Sequence, residues 1–138
     1  MTLLVSDAIL QARFQALAGA FDAASDPAQI WVYGGARASS LGAWPSTPPL
    51  VRITLAKPCG TATPTALTLA IPADPSQVTA DGTATWARIV DGAGTPLIDC
   101  DVALADGSGT QPQEILLSRV DVFSGAFVVL VSGTFTEA

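Results

Sequence analysis

The side chains that could carry out chemistry are few, and they concentrate in the segment 82–102. Asp99 and Asp101 flank Cys100 there, and residues two apart on a strand project from the same face. A carboxylate pair can serve general acid–base catalysis, and with Asp106 it could hold a calcium ion. However, nothing nearby would raise the pKa of one carboxylate, and the spacing lacks the distal Glu of an EF-hand loop. We therefore interpret these carboxylates as solvated strand residues, and we predict no catalytic, cofactor-binding or metal-ligating residue.

The composition removes several classes of function. The 138 residues include no histidine, which excludes imidazole-based catalysis and histidine-ligated metal sites. The arginines are scattered and the net charge is −6, which argues against nucleic-acid binding. No apolar run is long enough to span a bilayer, and the first residues lack the basic region of a secretory signal. We expect a protein that is not an enzyme, uses no cofactor, and binds neither nucleic acid nor membrane.

Only 13% of the residues are charged, about half the usual share. A weakly charged, apolar surface is tolerable where partners cover it, which favours an assembly component. A well-packed domain rich in Ala and Val is the alternative. Cys59 and Cys100 are too few to hold zinc, and we predict that they are small buried residues, with a disulfide as the alternative.

One helix is predicted near the N-terminus, in the region 5–25. Ser6 can cap it, and Asp26-Pro27 prevents its continuation. Apolar side chains recur at helical spacing in a single stripe: Leu10, Phe14, Leu17 and Phe21. The stripe must be buried either on the chain's own sheet or on a neighbouring subunit, for which the helix would form an arm. In the second case Phe14, Leu17 and Phe21 are interface residues.

From residue 29 onward the sequence predicts strands separated by turns rich in Gly and Pro. Alternation of apolar and polar residues is clear in 50–56 and 65–71. The segment 126–136 is apolar at successive positions, which predicts a central strand buried on both sides. We predict one domain over 1–138, an all-β fold of β-sandwich or jelly-roll type at 29–138 with one N-terminal α-helix.

Two features of this β region leave alternatives open. The loop 36–49 contains three prolines, and its Leu41 and Trp44 either contact a partner or fold back as a lid. In the hairpin at 82–102, pairing Val90 with Thr95 places Trp86 on the face of Arg88 and lets Arg88 reach Asp99. A shift of one residue instead turns Trp86 into the core. Trp86 is therefore either a core anchor or an outward aromatic residue at an interface.

Several of these segments together resemble small structural proteins of tailed-bacteriophage virions. The matching segments, in chain order, are the Ala-rich helix, Tyr33-Gly34-Gly35, Leu67-Thr-Leu69, Thr-Ala-Thr-Trp-Ala-Arg at 83–88 and Ile-Asp-Cys-Asp-Val at 98–102. These motifs are structural rather than catalytic. The loop 36–49 departs from the family pattern, and this departure leaves the geometry of attachment open.

The resemblance implies a head decoration, or cement, protein. Such a protein binds and stabilises the lattice of the major capsid protein on the capsid surface, after assembly in the host cytoplasm. It also implies a homo-oligomer, most simply a two-fold dimer. A tail or head–tail component of the virion is the first alternative. The second is a carbohydrate- or receptor-binding sandwich, for which stacking platforms are available in Trp31, Tyr33, Trp44 and Trp86.

Overall fold

The computed structural model describes residues 6–72, 74–108 and 111–136. Within these ranges the chain forms one helix and a series of mostly short strands, so the fold is mostly β with a single N-terminal helix. The elements are α1 (Asp7–Asp22), β1 (Gln29–Gly34), β2 (Val51–Thr54), β3 (Gly60–Ala62), β4 (Ala66–Leu69), β5 (Ser76–Gln77), β6 (Gly82–Val90), β7 (Pro96–Leu104), β8 (Ile115–Leu117), β9 (Asp121–Val122), β10 (Phe127–Val128) and β11 (Leu130–Thr136). Residue 5 of the predicted helix region lies outside the described residues, as do 1–4, 73, 109–110 and 137–138 of the predicted domain.

Helix α1 begins and is capped as the sequence predicts. The Ser6 side chain accepts a hydrogen bond from the Ile9 N–H, and Asp7 lies in the first turn, where the helix dipole favours a negative charge. The helix ends at Asp22, before the Asp26-Pro27 pair that was predicted to end it. Among the described residues, no helix is long and apolar enough to cross a membrane.

The apolar stripe of α1 is buried within this chain. Phe14 and Phe21 are buried and Leu17 is partly buried against the same core. The Phe21 ring meets Phe135 of β11 edge-to-face, with 5.8 Å between ring centroids. The side-chain amide of Gln11 donates to the Ala62 carbonyl at 3.3 Å, which ties the helix to β3. The structure thus corrects the arm hypothesis, because these rings fill space in the chain's own core and are not free for a neighbouring subunit.

The strands form one curled sheet with the order β2-β1-β6-β7-β8-β11-β4-β3, and β9 pairs with the start of β6. All of its described pairs are antiparallel except β7–β8, which are parallel. A two-stranded ribbon of β5 and β10 accompanies it. Buried apolar residues from α1 and from both ends of the strand order belong to one contiguous core.

A β-bulge in β6 decides which side chains enter that core. Tyr33 pairs with Trp86, whereas the next residue, Gly34, pairs with Ala84, so Thr85 is the additional residue of β6. A bulge reverses the alternation of faces along a strand. Ala84 can therefore face the core although Trp86, two residues later, projects from the opposite side. We call the side carrying Ile30, Ala87 and Ile89 the inner face, and the side carrying Trp31, Trp86 and Arg88 the outer face.

The register of the 82–102 hairpin differs from the predicted one by two residues. Val90 pairs with Pro96 rather than Thr95, and a second irregularity makes Ile89 pair with Ile98. A shift of one residue in the pairing moves every side chain of a strand to the opposite face of the sheet. Two such shifts therefore return each side chain to the face that was predicted for it. Trp86 and Arg88 therefore share a face with Asp99, as the first of the two predicted arrangements requires.

The middle of the C-terminal segment is not buried on both sides, which makes that prediction wrong. Val128 and Leu130 are buried, but Phe127, Val129 and Val131 are 58, 42 and 46% exposed. The sequence pattern cannot distinguish an apolar row that faces the core from one that faces solvent, because both have the same period.

Both cysteines are free and fully buried, as predicted for small core residues. Burial raises the pKa of Cys59 to about 11, and the nearby negative charge of Asp22 contributes to the shift. Burial also raises the pKa of Cys100. A raised pKa keeps each thiol neutral, which suits an apolar interior.

Candidate functional site: an arginine and aromatic cluster on the outer face

The outer face of β1, β2, β6 and β7 carries polar and aromatic side chains in two rows. Cross-strand pairing sets Arg52, Trp31, Arg88 and Asp99 in one row. The adjacent row contains Tyr33, Trp86 and Asp101. These rows follow from alternation along each strand, because Trp86 lies two residues before Arg88 and so shares its face. The bulge at Thr85 returns Ala84 to the inner face.

Arg88 lies at the centre of the cluster, and its side chain is 0% exposed. Its Nε and Nη2 donate to the two carboxylate oxygens of Asp99 at 2.8 and 3.0 Å, which is a bidentate ion pair. Nη1 donates to the carbonyl of Ala43 at 2.7 Å, and Nη2 also donates to that of Ser40 at 3.1 Å. The hydrogen bonds to Asp99 raise the pKa of Arg88. Every guanidinium nitrogen is thus engaged, and the residue fastens the loop 36–49 to the sheet.

Aromatic rings enclose this guanidinium. It lies 4.9 Å from the ring centroid of Trp44 and 5.7 Å from that of Trp86, distances at which a cation is attracted to a ring face. Trp86 stacks on Tyr33, with 4.8 Å between centroids and an interplanar angle of 18°. Trp86 is only 2% exposed, and its indole N–H has no hydrogen-bond partner among the residues that the structure describes. Neither sequence alternative describes it fully: it projects away from the inner core and yet is buried.

The cluster continues towards solvent on the β2 side. Trp31 and Trp44 lie 5.6 Å apart between centroids at an angle of 46°. The Arg52 guanidinium lies 4.7 Å from the Trp31 ring centroid. Trp44 remains 48% exposed. Burial raises the pKa of the Tyr33 hydroxyl, although the positive charges of Arg88 and Arg52 oppose that shift.

The two carboxylates that the sequence singled out lie on one face but belong to different ion pairs. Asp99 binds Arg88, and Asp101 forms an exposed pair with Arg37 at the beginning of the loop. No group of three potential metal-ligating side chains occurs among residues 6–72, 74–108 and 111–136. Each carboxylate therefore has an arginine partner, and both ion pairs help to hold the loop 36–49 on the sheet.

The predicted interface residues fall into three groups. Phe14, Leu17 and Phe21 pack in the chain's own core, as described above. Trp86 is covered by the cluster. Leu41 and Trp44 of the loop are exposed, at 39 and 48%. The loop acts as a lid over the outer face, as one alternative expected, but it covers Arg88 rather than the apolar core, and it still presents Trp44 to solvent.

Sequence reasoning missed the most strongly constrained part of this site. The sequence predicted, in one of two registers, that Arg88 reaches Asp99, but it did not predict that Arg88 is fully buried under the loop. Its contacts with the carbonyls of Ser40 and Ala43 involve main-chain atoms, which carry no sequence signal. The only available signal was the adjacency in one hairpin of Trp86 and Arg88 with Asp99.

A scan of models of protein families found no match to this chain, and neither the curated proteins nor the solved structures that were searched include a match.

Proposed function

We propose that this chain is a non-enzymatic structural protein that binds a repeating protein surface, as a head decoration protein of a tailed bacteriophage does. The partner is the major capsid protein, and the location is the outer surface of the capsid. The resemblance of the motifs in 33–35, 67–69, 83–88 and 98–102 supports this assignment. A β-sandwich or jelly roll is part of the same proposal, and it is supported by the single core shared by both ends of the strand order.

The observation that carries the proposal is an exposed apolar patch, which we define as Leu104, Phe123, Phe127, Val129 and Val131. Leu104 and Phe123 line one hollow together with Ser118. Ser118 in turn exchanges hydrogen bonds with the main chain of Val129, which joins the two parts of the patch. Large apolar side chains grouped in this way mark a surface that a partner covers.

The chemistry of the patch fits adhesion to a lattice. Its five members are apolar, so their contact would rest on burial of apolar area, at about 25 cal/mol per Å². Arg119 and Asp121 line the same hollow as Leu104 and Phe123 and would add polar contacts at its edge. An interface of about 1,000 Å² per copy would be credible. A two-fold dimer would let one unit connect neighbouring capsomers.

The test is binding to purified heads that lack this chain. The unaltered protein is expected to sediment with the heads, at a copy number comparable to that of the major capsid protein. Val129→Lys is expected to abolish sedimentation because it places a charge in the contact. Ile9→Lys, at an exposed apolar position on α1, is the matched control and is expected to bind normally.

Three outcomes would contradict the proposal in different ways. Absence of binding by the unaltered protein would reject the decoration role. A copy number that is a small fraction of that of the major capsid protein would favour the tail or head–tail alternative. Normal binding by a folded Val129→Lys variant would move the contact away from the apolar patch.

A further inference from the structure

A cleft opens beside the half-buried Trp31, between two turns of the chain. The exposed Trp44 packs against Trp31 at the margin of this cleft and does not itself line it. The cleft has a volume of about 480 Å³ and extends from Trp31 to the turn at 91–94. Asp26 and Pro27 form the opposite wall. The walls are in direct contact at one point, because a Cβ on Gly92 would lie 2.0 Å from the Asp26 carbonyl oxygen. Only glycine permits this approach, so the walls are fixed relative to one another.

The floor of the cleft is a row of hydrogen-bonding groups. Gln29 pairs with Thr54 across β1 and β2, and its amide donates to the Thr54 hydroxyl at 3.2 Å. The indole N–H of Trp31 donates to the Gln29 side-chain carbonyl at 2.9 Å. The floor is therefore held in a defined orientation, and through Trp31 it is continuous with the Trp31–Trp44 pair.

The negative charge of the cleft restricts the kind of ligand that the cleft can bind. Among the described residues that line it, Asp26 and Asp91 are the titratable ones, and none is a Lys or an Arg. Asp91 holds its own turn through Oδ1, which accepts from the N–H groups of Ala93 and Thr95 at 2.9 Å. Its Oδ2 takes no part in those two bonds. Carboxylates are acceptors only, so the site suits a ligand that donates hydrogen bonds and carries no negative charge.

The tryptophan pair supplies an apolar platform next to these acceptors. One side of Trp44 packs against the guanidinium of Arg88, and the indole is still 48% exposed. Contact with Arg88 explains why the loop is fastened to the sheet, but it does not account for the exposed part of the ring. An indole face matches the C–H face of a pyranose ring, whose hydroxyl groups lie at the edge.

We propose that the Trp31–Trp44 pair and the adjoining cleft bind a neutral saccharide. A pyranose ring stacks on Trp44, and hydroxyl groups of the ligand donate to the carboxylates of Asp26 and Asp91. Gln29 and Thr54 provide further polar contacts at the floor. Small-molecule sites commonly combine an apolar wall with a few placed polar groups in this way. The site is separate from the apolar patch, so this proposal does not depend on the decoration role.

The experiment measures binding of the full chain to a printed panel of neutral and sialylated oligosaccharides, with the protein displayed multivalently. Affinity for the strongest glycan is then measured by calorimetry with the monovalent protein. Trp44→Ala is expected to weaken binding about tenfold or more, and Trp44→Phe is expected to weaken it less because it retains an aromatic face. Gln29→Ala tests the floor of the cleft and is expected to weaken binding as well. Ile9→Ala, an exposed apolar truncation on α1, is the matched control and is expected to bind normally.

Each contrary outcome overturns a defined part of the proposal. No binding to any glycan of the panel would reject the saccharide site. Binding confined to sialylated glycans would reject the neutral ligand class. Undiminished affinity in a folded Trp44→Ala variant would reject the location. Loss of self-association in that variant, without glycan binding by the unaltered protein, would instead make the tryptophan pair a protein contact.

Discussion

The two faces of β6 are both buried, but by different means. On the inner face, Ala87 and Ile89 pack with apolar residues from distant strands and from α1. On the outer face, Arg88 is buried under a loop that has no regular secondary structure, and Trp86 is buried where it stacks on Tyr33. Apolar packing is non-directional, so the inner face requires only the right pattern and volume. A buried guanidinium requires partners at particular positions, so the outer face depends on a few specific contacts.

The difference between the two faces indicates which part of the molecule could bind a ligand or a partner. The inner face is closed by its own helix and sheet. The outer face is closed over Trp86 and Arg88, but at its margin Trp44 stays exposed next to Trp31, which lines an open cleft. The inner and outer faces of β6 are therefore equally buried, but only the outer face borders a surface that is open to solvent.

Removing the helix tests the inner face and has the largest expected effect. Deletion of residues 1–25 removes Phe14 and Phe21 from the core, and the loss of one such ring alone costs about 3–5 kcal/mol. Because a domain of this size is stable by about 5–15 kcal/mol, we expect the variant to lose its cooperative unfolding transition. Urea denaturation followed by tryptophan fluorescence measures this. A cooperative transition retained near the original midpoint would restore the arm hypothesis.

Removing the counterion of Arg88 tests the outer face. Asp99→Ala leaves a buried charge without its partner, and we expect the free energy of unfolding to fall by about 3–5 kcal/mol. Asp101→Ala is the matched control, because its pair with Arg37 is exposed and is expected to contribute less than about 1 kcal/mol. Chemical denaturation measures both variants.

A double variant sharpens the same comparison. Arg88→Met combined with Asp99→Leu replaces the pair by apolar groups, and we expect most of the loss in Asp99→Ala to be recovered. If the double variant is as unstable as Asp99→Ala, the contacts with the Ser40 and Ala43 carbonyls matter more than the charge pair.

Alkaline pH is expected to lower the free energy of unfolding through the buried thiol of Cys59, which belongs to the inner core. The pKa of this thiol is raised to about 11 in the folded chain from an ordinary value of 9.0. Its contribution to stability is complete below the unfolded pKa and is lost as pH rises towards the folded pKa, because only the unfolded chain readily forms the thiolate. We expect a decrease of up to about 2–3 kcal/mol between about pH 9 and 11. Urea denaturation across this range measures it. Cys59→Ala is expected to reduce the slope without removing it, because burial also raises the pKa of Cys100. An equal slope in both proteins would contradict the assignment.

Truncation of Trp44 has the smallest expected effect on stability. The residue is 48% exposed, and an exposed cation–π contact contributes about 0.5–1 kcal/mol. We expect Trp44→Ala to lower the free energy of unfolding by about 1 kcal/mol, measured by chemical denaturation. A loss as large as that in Asp99→Ala would show that the ring serves chiefly to close the loop over Arg88.

Local patterns in the sequence were sufficient for the helix and for much of the strand content. Spacing of apolar residues by three and four located α1, and Ser6 marked its beginning. Alternation located β2 and β4. The two neutral cysteines followed from their apolar surroundings. These features depend on interactions between residues close in the chain, or on a simple division between apolar and polar side chains.

Other features depended on contacts that the sequence does not encode locally. The bulge at Thr85 adds one residue between paired strands, and no residue type marks it. The exposure of Val129 and Val131 depends on what lies over β11 in the folded chain. Both required knowledge of which distant segments meet.

By itself, the sequence determined that this chain is a mostly β protein with one amphipathic helix, because periodicity and capping act through neighbouring residues. It also determined which side chains can form a site: the chain has no histidine, and Trp86 lies two residues from Arg88. The tertiary structure alone decided that Arg88 is buried by the loop 36–49, and that Trp31 and Trp44 meet beside a cleft. These contacts join residues far apart in the chain, and their positions depend on the curl of the whole sheet and on where the loop 36–49 lies over it.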